Sequence, residues 1–73
     1  PSTAIRFTLD AGSQTRLAVY DLLGREVAVL VNGTLAAGAH TATFDASGLT
    51  SGVYMYKLEA GGQSMTRRMT LVK

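Results

Sequence analysis

Apolar and polar positions alternate with a period of two along most of this chain, the signature of extended segments with one buried face. The clearest case is residues 53–60, where Tyr54, Tyr56 and Leu58 alternate with Val53, Met55, Lys57 and Glu59. Gly48 and Gly52 precede this segment and Gly61 and Gly62 follow it, so sharp reversals are expected at both ends. Residues 3–9 form a first strand, with Ile5, Phe7 and Leu9 on one face. A second runs over 14–20, with Leu17 and Val19 inward and Arg16 and Ala18 outward; Tyr20 falls outward too, unless a bulge shifts the register.

Between these two strands Asp10, Gly12 and Ser13 supply turn chemistry. Asp21-Leu22-Leu23-Gly24 fits a type I turn, and its two apolar tip residues are expected to fold back over an open end of the core. The third strand, 25–31, is nearly all apolar after Glu26, which implies cover on both faces or an irregularity. Asn32-Gly33 predicts a hairpin, with 34–38 as a short edge segment. The strand at 39–44 places His40, Ala42 and Phe44 on one face; after it, Asp45-Ala46-Ser47 is suited to capping a single helical turn. The last strand, 63–72, is apolar at Met65, Met69 and Leu71, with Arg67 interrupting that face. Arg67 is expected either at the rim with its stem packed, or turned out by a bulge.

No stretch repeats apolar residues at 3.6 spacing over three turns. Six or seven short strands joined by tight turns predict an all-β fold, a small antiparallel β-sandwich. Composition agrees: 73 residues make one domain, and 47% apolar content suffices for a packed core. With no cysteine, neither a disulfide framework nor a thiolate metal site is available. A net charge of +2 with scattered basic residues gives no footprint for nucleic acid.

Candidate chemistry is sparse. His40 is the single histidine, and no nucleophile elbow surrounds Ser47 or Ser51. The five carboxylates are too scattered for a calcium loop, and no glycine pair leads into a helix that would cradle phosphate. Neither a catalytic site, a cofactor nor a small-molecule substrate is expected. Tyr20, Tyr54 and Tyr56 read as packing residues before they read as a sugar platform. Arg67-Arg68 reads as one rim and one solvent residue before it reads as a docking patch.

Four runs are nevertheless specific together: PSTAIRF at 1–7, LAVYDLLGREV at 17–27, AGAHTATFDASGLTSGVY at 37–54 and RRMTLVK at 67–73. With them the chain resembles the C-terminal sorting domains of proteins exported by the type IX secretion system of Bacteroidota and related bacteria. The resemblance implies an immunoglobulin-like β-sandwich at the end of a larger secreted protein, without a catalytic role. It implies an address that directs N-terminal cargo domains from the periplasm through the outer-membrane translocon to the cell surface or beyond. A surface sortase-like peptidase would then remove the domain. Of the family's usual proline-rich lead-in segment only Pro1-Ser2-Thr3 remains here. The glycine-tyrosine pair falls on Gly52 and Tyr54, and the basic, apolar ending on Arg67, Arg68, Met69, Leu71, Val72 and Lys73. An exposed strand at 68–73 would offer an edge for a receptor strand. Two other readings share parts of the pattern: an accessory immunoglobulin-like spacer similar to that of flagellar hook-capping proteins, and a carbohydrate-binding module.

Overall fold

The computed structural model describes residues 2–72, and among them are six strands and no helix. They are β1 (Ser2–Leu9), β2 (Ser13–Tyr20), β3 (Glu26–Leu35), β4 (Gly38–Asp45), β5 (Gly52–Ala60) and β6 (Gln63–Leu71). All pairing is antiparallel, and the strands form two sheets, β1-β4 and β3-β2-β5-β6. Ile5, Phe7, Leu9 and Ala42 of the smaller sheet pack on Leu17 and Leu58 of the larger one. A second cluster joins Val19, Phe44, Ala46 and Tyr54. The result is the expected β-sandwich, with the inward residues of β1, β2 and β5 at the positions their alternation predicts.

The connectivity is that of an immunoglobulin sandwich. β1 and β4 take the B and E positions of one sheet, and β3-β2-β5-β6 take C′-C-F-G of the other. The outer positions A and D of the smaller sheet are empty among the described residues. Two strands therefore cover four, and the larger sheet overhangs the smaller.

β3 departs most from expectation. Its pairing with β2 shifts register between Leu17 and Ala18 and again between Val19 and Tyr20. Leu17 pairs Val31 while Ala18 pairs Val29; Val19 pairs Ala28 while Tyr20 pairs Glu26. Leu30 and Val27 are thus the extra residues of two β-bulges on β3, and both pack against the core. Val27, Ala28, Leu30 and Val31 turn inward, and only Glu26 and Val29 of that run are exposed. The apolar run reflects irregularity, not cover on both faces.

The hairpin expected at Asn32-Gly33 does not form. β3 runs on to Leu35, with Arg16 opposite Asn32 and Thr15 opposite Gly33. Gly33 lacks the positive φ that such a turn requires. From Leu35 the chain crosses to the other sheet through Ala36 and Ala37, so no seventh strand arises from 34–38. A tight hairpin at 32–33 would have left the start of β2, Ser13 to Arg16, without its ladder partner.

The Asp21–Gly24 turn is present, closed by Gly24 N–H donating to Asp21 O at 3.0 Å, with Gly24 at φ 81°. Leu22 and Leu23 do not fold back: they are 65% and 77% exposed. The reason lies in Asp21, whose Oδ1 accepts from the N–H groups of Leu23 and Arg25 and whose Oδ2 accepts from Arg25 Nε. That clamp fixes the turn with both leucines pointing away from the sheets. Asp45 acts similarly on a smaller scale: its Oδ1 accepts from Ser47 N–H, and Leu49 N–H closes a single turn onto Ala46 O. This is a turn and not a turn of helix. Between β5 and β6, Gly61 and Gly62 sit at φ 57° and 79°. Positive φ at both centres is the requirement of a two-residue type I′ hairpin, which the pairing of Ala60 with Gln63 completes.

Candidate functional site

The sequence-predicted site residues converge on the β5–β6 hairpin. Gly52 pairs Leu71 and Tyr54 pairs Met69, so four of them form two adjacent cross-strand pairs. These residues share the inward face, where Met69 and Leu71 pack half-buried against the cluster around Phe44 and Tyr54. Arg67, opposite Tyr56, also lies on the inward face, and Arg68, opposite Met55, lies on the outward one. Both arginines are exposed. No bulge turns Arg67 out; it stands at the uncovered rim of the overhanging sheet, its Nε 3.4 Å from Met65 Sδ. Val72 follows the strand and is 78% exposed. Lys73 and Pro1 lie outside the described residues.

β6 is an edge strand: one side pairs with β5, and among the described residues the other pairs with nothing. Its row of N–H and C=O groups is a template for a further strand. The acids of the neighbouring surface are engaged elsewhere. Glu26 pairs with Arg16, Asp21 with Arg25 at 2.8 Å and Glu59 with Lys57 at 3.7 Å. Among the described residues neither Arg67 nor Arg68 makes an ion pair, so β6 carries two arginines without a described acidic partner.

Sequence reasoning missed the role of the Tyr54 hydroxyl. It donates to Thr50 O at 2.8 Å, tying the β4–β5 loop to the strand that carries Tyr54. The spacing of Thr50, Gly52 and Tyr54 was visible, but hydroxyl direction is set by burial of the ring, which is 6% exposed. Also missed was the outer face of β2. Arg16 Nη1 donates to Tyr20 Oη at 3.2 Å, and Arg16 Nη2 donates to Glu26. Tyr20 keeps its outward position, since both bulges lie on β3 and β2 itself stays regular. Arg16, Ala18 and Tyr20 share one face, so the Arg16–Tyr20 contact passes over Ala18, which is fully buried although outward. The Glu26 carboxylate first, and the Tyr20 hydroxyl second, hold the Arg16 guanidinium above its ordinary pKa.

His40 stacks on Phe7 with ring centroids 5.5 Å apart, and its Nε2 lies 2.8 Å from Ala36 O. Its ring is thereby occupied in packing and in holding the β3–β4 crossing. No three of the described His, Asp and Glu side chains come together as a metal cluster.

Fold and surface together define a small immunoglobulin-type sandwich whose distinguishing features are an open edge strand and its charge. Residues 2–72 match the family model described as the secretion system C-terminal sorting domain. No curated protein and no solved structure matches the chain. The chain belongs to the family of C-terminal sorting domains of type IX secretion. Membership makes it a sorting signal of that pathway, in a family that is in general non-catalytic, and implies export to the cell surface or outside.

Proposed function

We propose that residues 1–73 are the C-terminal address of a larger secreted protein, read at the outer-membrane translocon through the edge of β6. In this reading Arg68, Met69, Leu71 and Val72, with Lys73 beyond them, form the strand that a receptor strand lengthens by hydrogen bonding. Arg67 and Arg68 supply the charge that selects it. Gly52 and Tyr54 act from beneath, by fixing β5 and the loop before it so that β6 stays in register. A surface sortase-like peptidase then separates the domain from its cargo. The single observation that carries this reading is the open edge of β6 coinciding with two arginines that have no acidic partner among the described residues. Main-chain pairing would give affinity, and alternate side chains specificity.

The test is export. A reporter fused ahead of the domain, in a host with the type IX pathway, is expected at the cell surface or in the medium. The same fusion lacking residues 68–73 is expected to remain in the periplasm. Normal export of the truncated fusion overturns the proposal.

A further inference from the structure

Asn32 is the sole asparagine of the chain, and Gly33 follows it. In an unfolded chain such a pair reacts with itself, because glycine leaves its own backbone nitrogen unhindered. The Gly33 nitrogen attacks Asn32 Cγ and closes a five-membered imide. The Cγ–Nδ2 bond breaks, and ammonia leaves with the proton that the Gly33 nitrogen gave up. Water then opens the imide at either carbonyl. Opening at Cγ gives aspartate; opening at the main-chain carbonyl gives isoaspartate, whose backbone runs on through Cβ and Cγ. The fold treats the two reacting groups differently. The Asn32 side chain is exposed on the outward face and lines an open groove with Arg16 and Lys57. The Gly33 N–H is held in the ladder. Ala60 closes the two-residue β5–β6 hairpin with Gln63, so its backbone groups point to β6. Thr15 lies opposite Ala60 on the other side and therefore turns its own groups to β3, where its partner is Gly33. Thr15 is fully buried, so water does not compete for that bond.

We propose that Asn32-Gly33 is a self-modification site which the fold keeps shut, and which records time spent unfolded. With the Gly33 N–H donated to the Thr15 carbonyl, the nucleophile points within the plane of the sheet, while Asn32 Cγ projects out of it. The two atoms meet when β3 parts from the start of β2. The two products have opposite consequences. Aspartate at position 32 brings a carboxylate opposite Arg16, on an exposed face that also holds Lys57, and leaves the backbone as it was. Isoaspartate adds one atom to the main chain of β3, so the pairs from Thr15–Gly33 to Ser13–Leu35 fall out of register. A chain that stays unfolded long enough thereby damages a strand end that its own sandwich is built on. The proposal goes beyond the sorting reading and does not depend on it.

The test follows the mass and the isoaspartate content of the 73-residue chain at mildly alkaline pH, in buffer and in guanidinium chloride. In the denaturant the chain is expected to gain one mass unit at Asn32, as –OH replaces –NH2, with isoaspartate among the products. In buffer the conversion is expected to be at least about tenfold slower, since it waits on opening of the ladder. Gly33→Val, whose branched side chain shields the nitrogen, is expected to stay unconverted in the denaturant over the same period. The converted chains are then separated and returned to buffer. The aspartate form, and an Asn32→Asp variant beside it, are expected to unfold at the wild-type urea midpoint, and the isoaspartate form at a clearly lower one. Equal rates with and without denaturant, or no conversion at Asn32 in denaturant, would each overturn the proposal. An isoaspartate form as stable as wild type would overturn the claim that the modification breaks the ladder.

Discussion

The Tyr54 hydroxyl donates to the Thr50 carbonyl oxygen across 2.8 Å, and this bond closes the β4–β5 loop onto the strand it introduces. An immunoglobulin sandwich makes the same bond at its tyrosine corner, where a tyrosine near the start of the F strand reaches back to backbone a few residues upstream. Here β5 holds the F position, and the ring packs with Val19, Phe44 and Ala46. The corner sets the start of β5, and through the Gly52–Leu71 and Tyr54–Met69 pairs it sets the end of β6.

Tyr54→Phe keeps the ring and removes the bond. The expected loss is about 0.5–1.5 kcal/mol, the net worth of one intramolecular hydrogen bond. Tyr54→Ala opens a cavity as well and is expected to lose about 3–5 kcal/mol, a large share of what a small domain possesses. Urea denaturation at constant m-value measures both. A phenylalanine variant as stable as wild type would remove the corner from the account of the fold.

Asp21 gives a pH prediction with a definite sign. Its carboxyl is held below the ordinary aspartate range, chiefly by the Arg25 N–H, helped by the Arg25 side chain and the Leu23 N–H and opposed by desolvation. The folded pKa therefore lies below the unfolded one, about 3.9. The stabilisation is complete above the unfolded value and disappears as pH falls through the folded one. Asp21→Asn is expected to melt below wild type at neutral pH and to converge with it in acid. Thermal melts from pH 7 down to pH 2 check this, and a gap that stays constant would contradict it.

Ala18 is buried beneath the Arg16–Tyr20 contact on the outward face. Ala18→Leu must push that pair apart, with an expected cost of about 1 kcal/mol, at the low end for overpacking. Ala18→Ser adds little volume and puts its buried hydroxyl beneath the polar groups of Arg16 and Tyr20, so it is expected to stay within about 0.5 kcal/mol of wild type. If leucine and serine melt together, the burial of Ala18 has no packing consequence.

What the sequence made legible follows from where local rules decide. β1, β2 and β5 are regular strands with one buried face, so period-two alternation located them within a residue or two. The Gly61-Gly62 turn was legible because positive φ at both centres admits few other residues. β3 was not, since its two bulges exist only in relation to β2 and replace alternation with pairs of inward residues. The placement of Arg67 was legible as a choice between rim and bulge. Choosing needed the width of the opposite sheet, which no local pattern carries.

Gly33 separates the two readings of residues 32–33 most sharply. As the second centre of a type I′ hairpin it would need positive φ, and a β-branched residue there would be strained. In the observed fold it is an inward position of β3 opposite Thr15, without positive φ, and a Cβ built on it meets nothing within 4 Å. Glycine in a strand interior costs conformational entropy and leaves the position unpacked. Gly33→Val is therefore expected to stabilise the domain by roughly 0.5–1 kcal/mol, through a restricted unfolded chain and a better strand former. Urea midpoints of wild type and variant at equal m-value decide the matter. A rise supports the long β3 and its crossing at Ala36-Ala37; a clear fall restores the hairpin, and the pairing of β2 with residues beyond it would have to be redrawn.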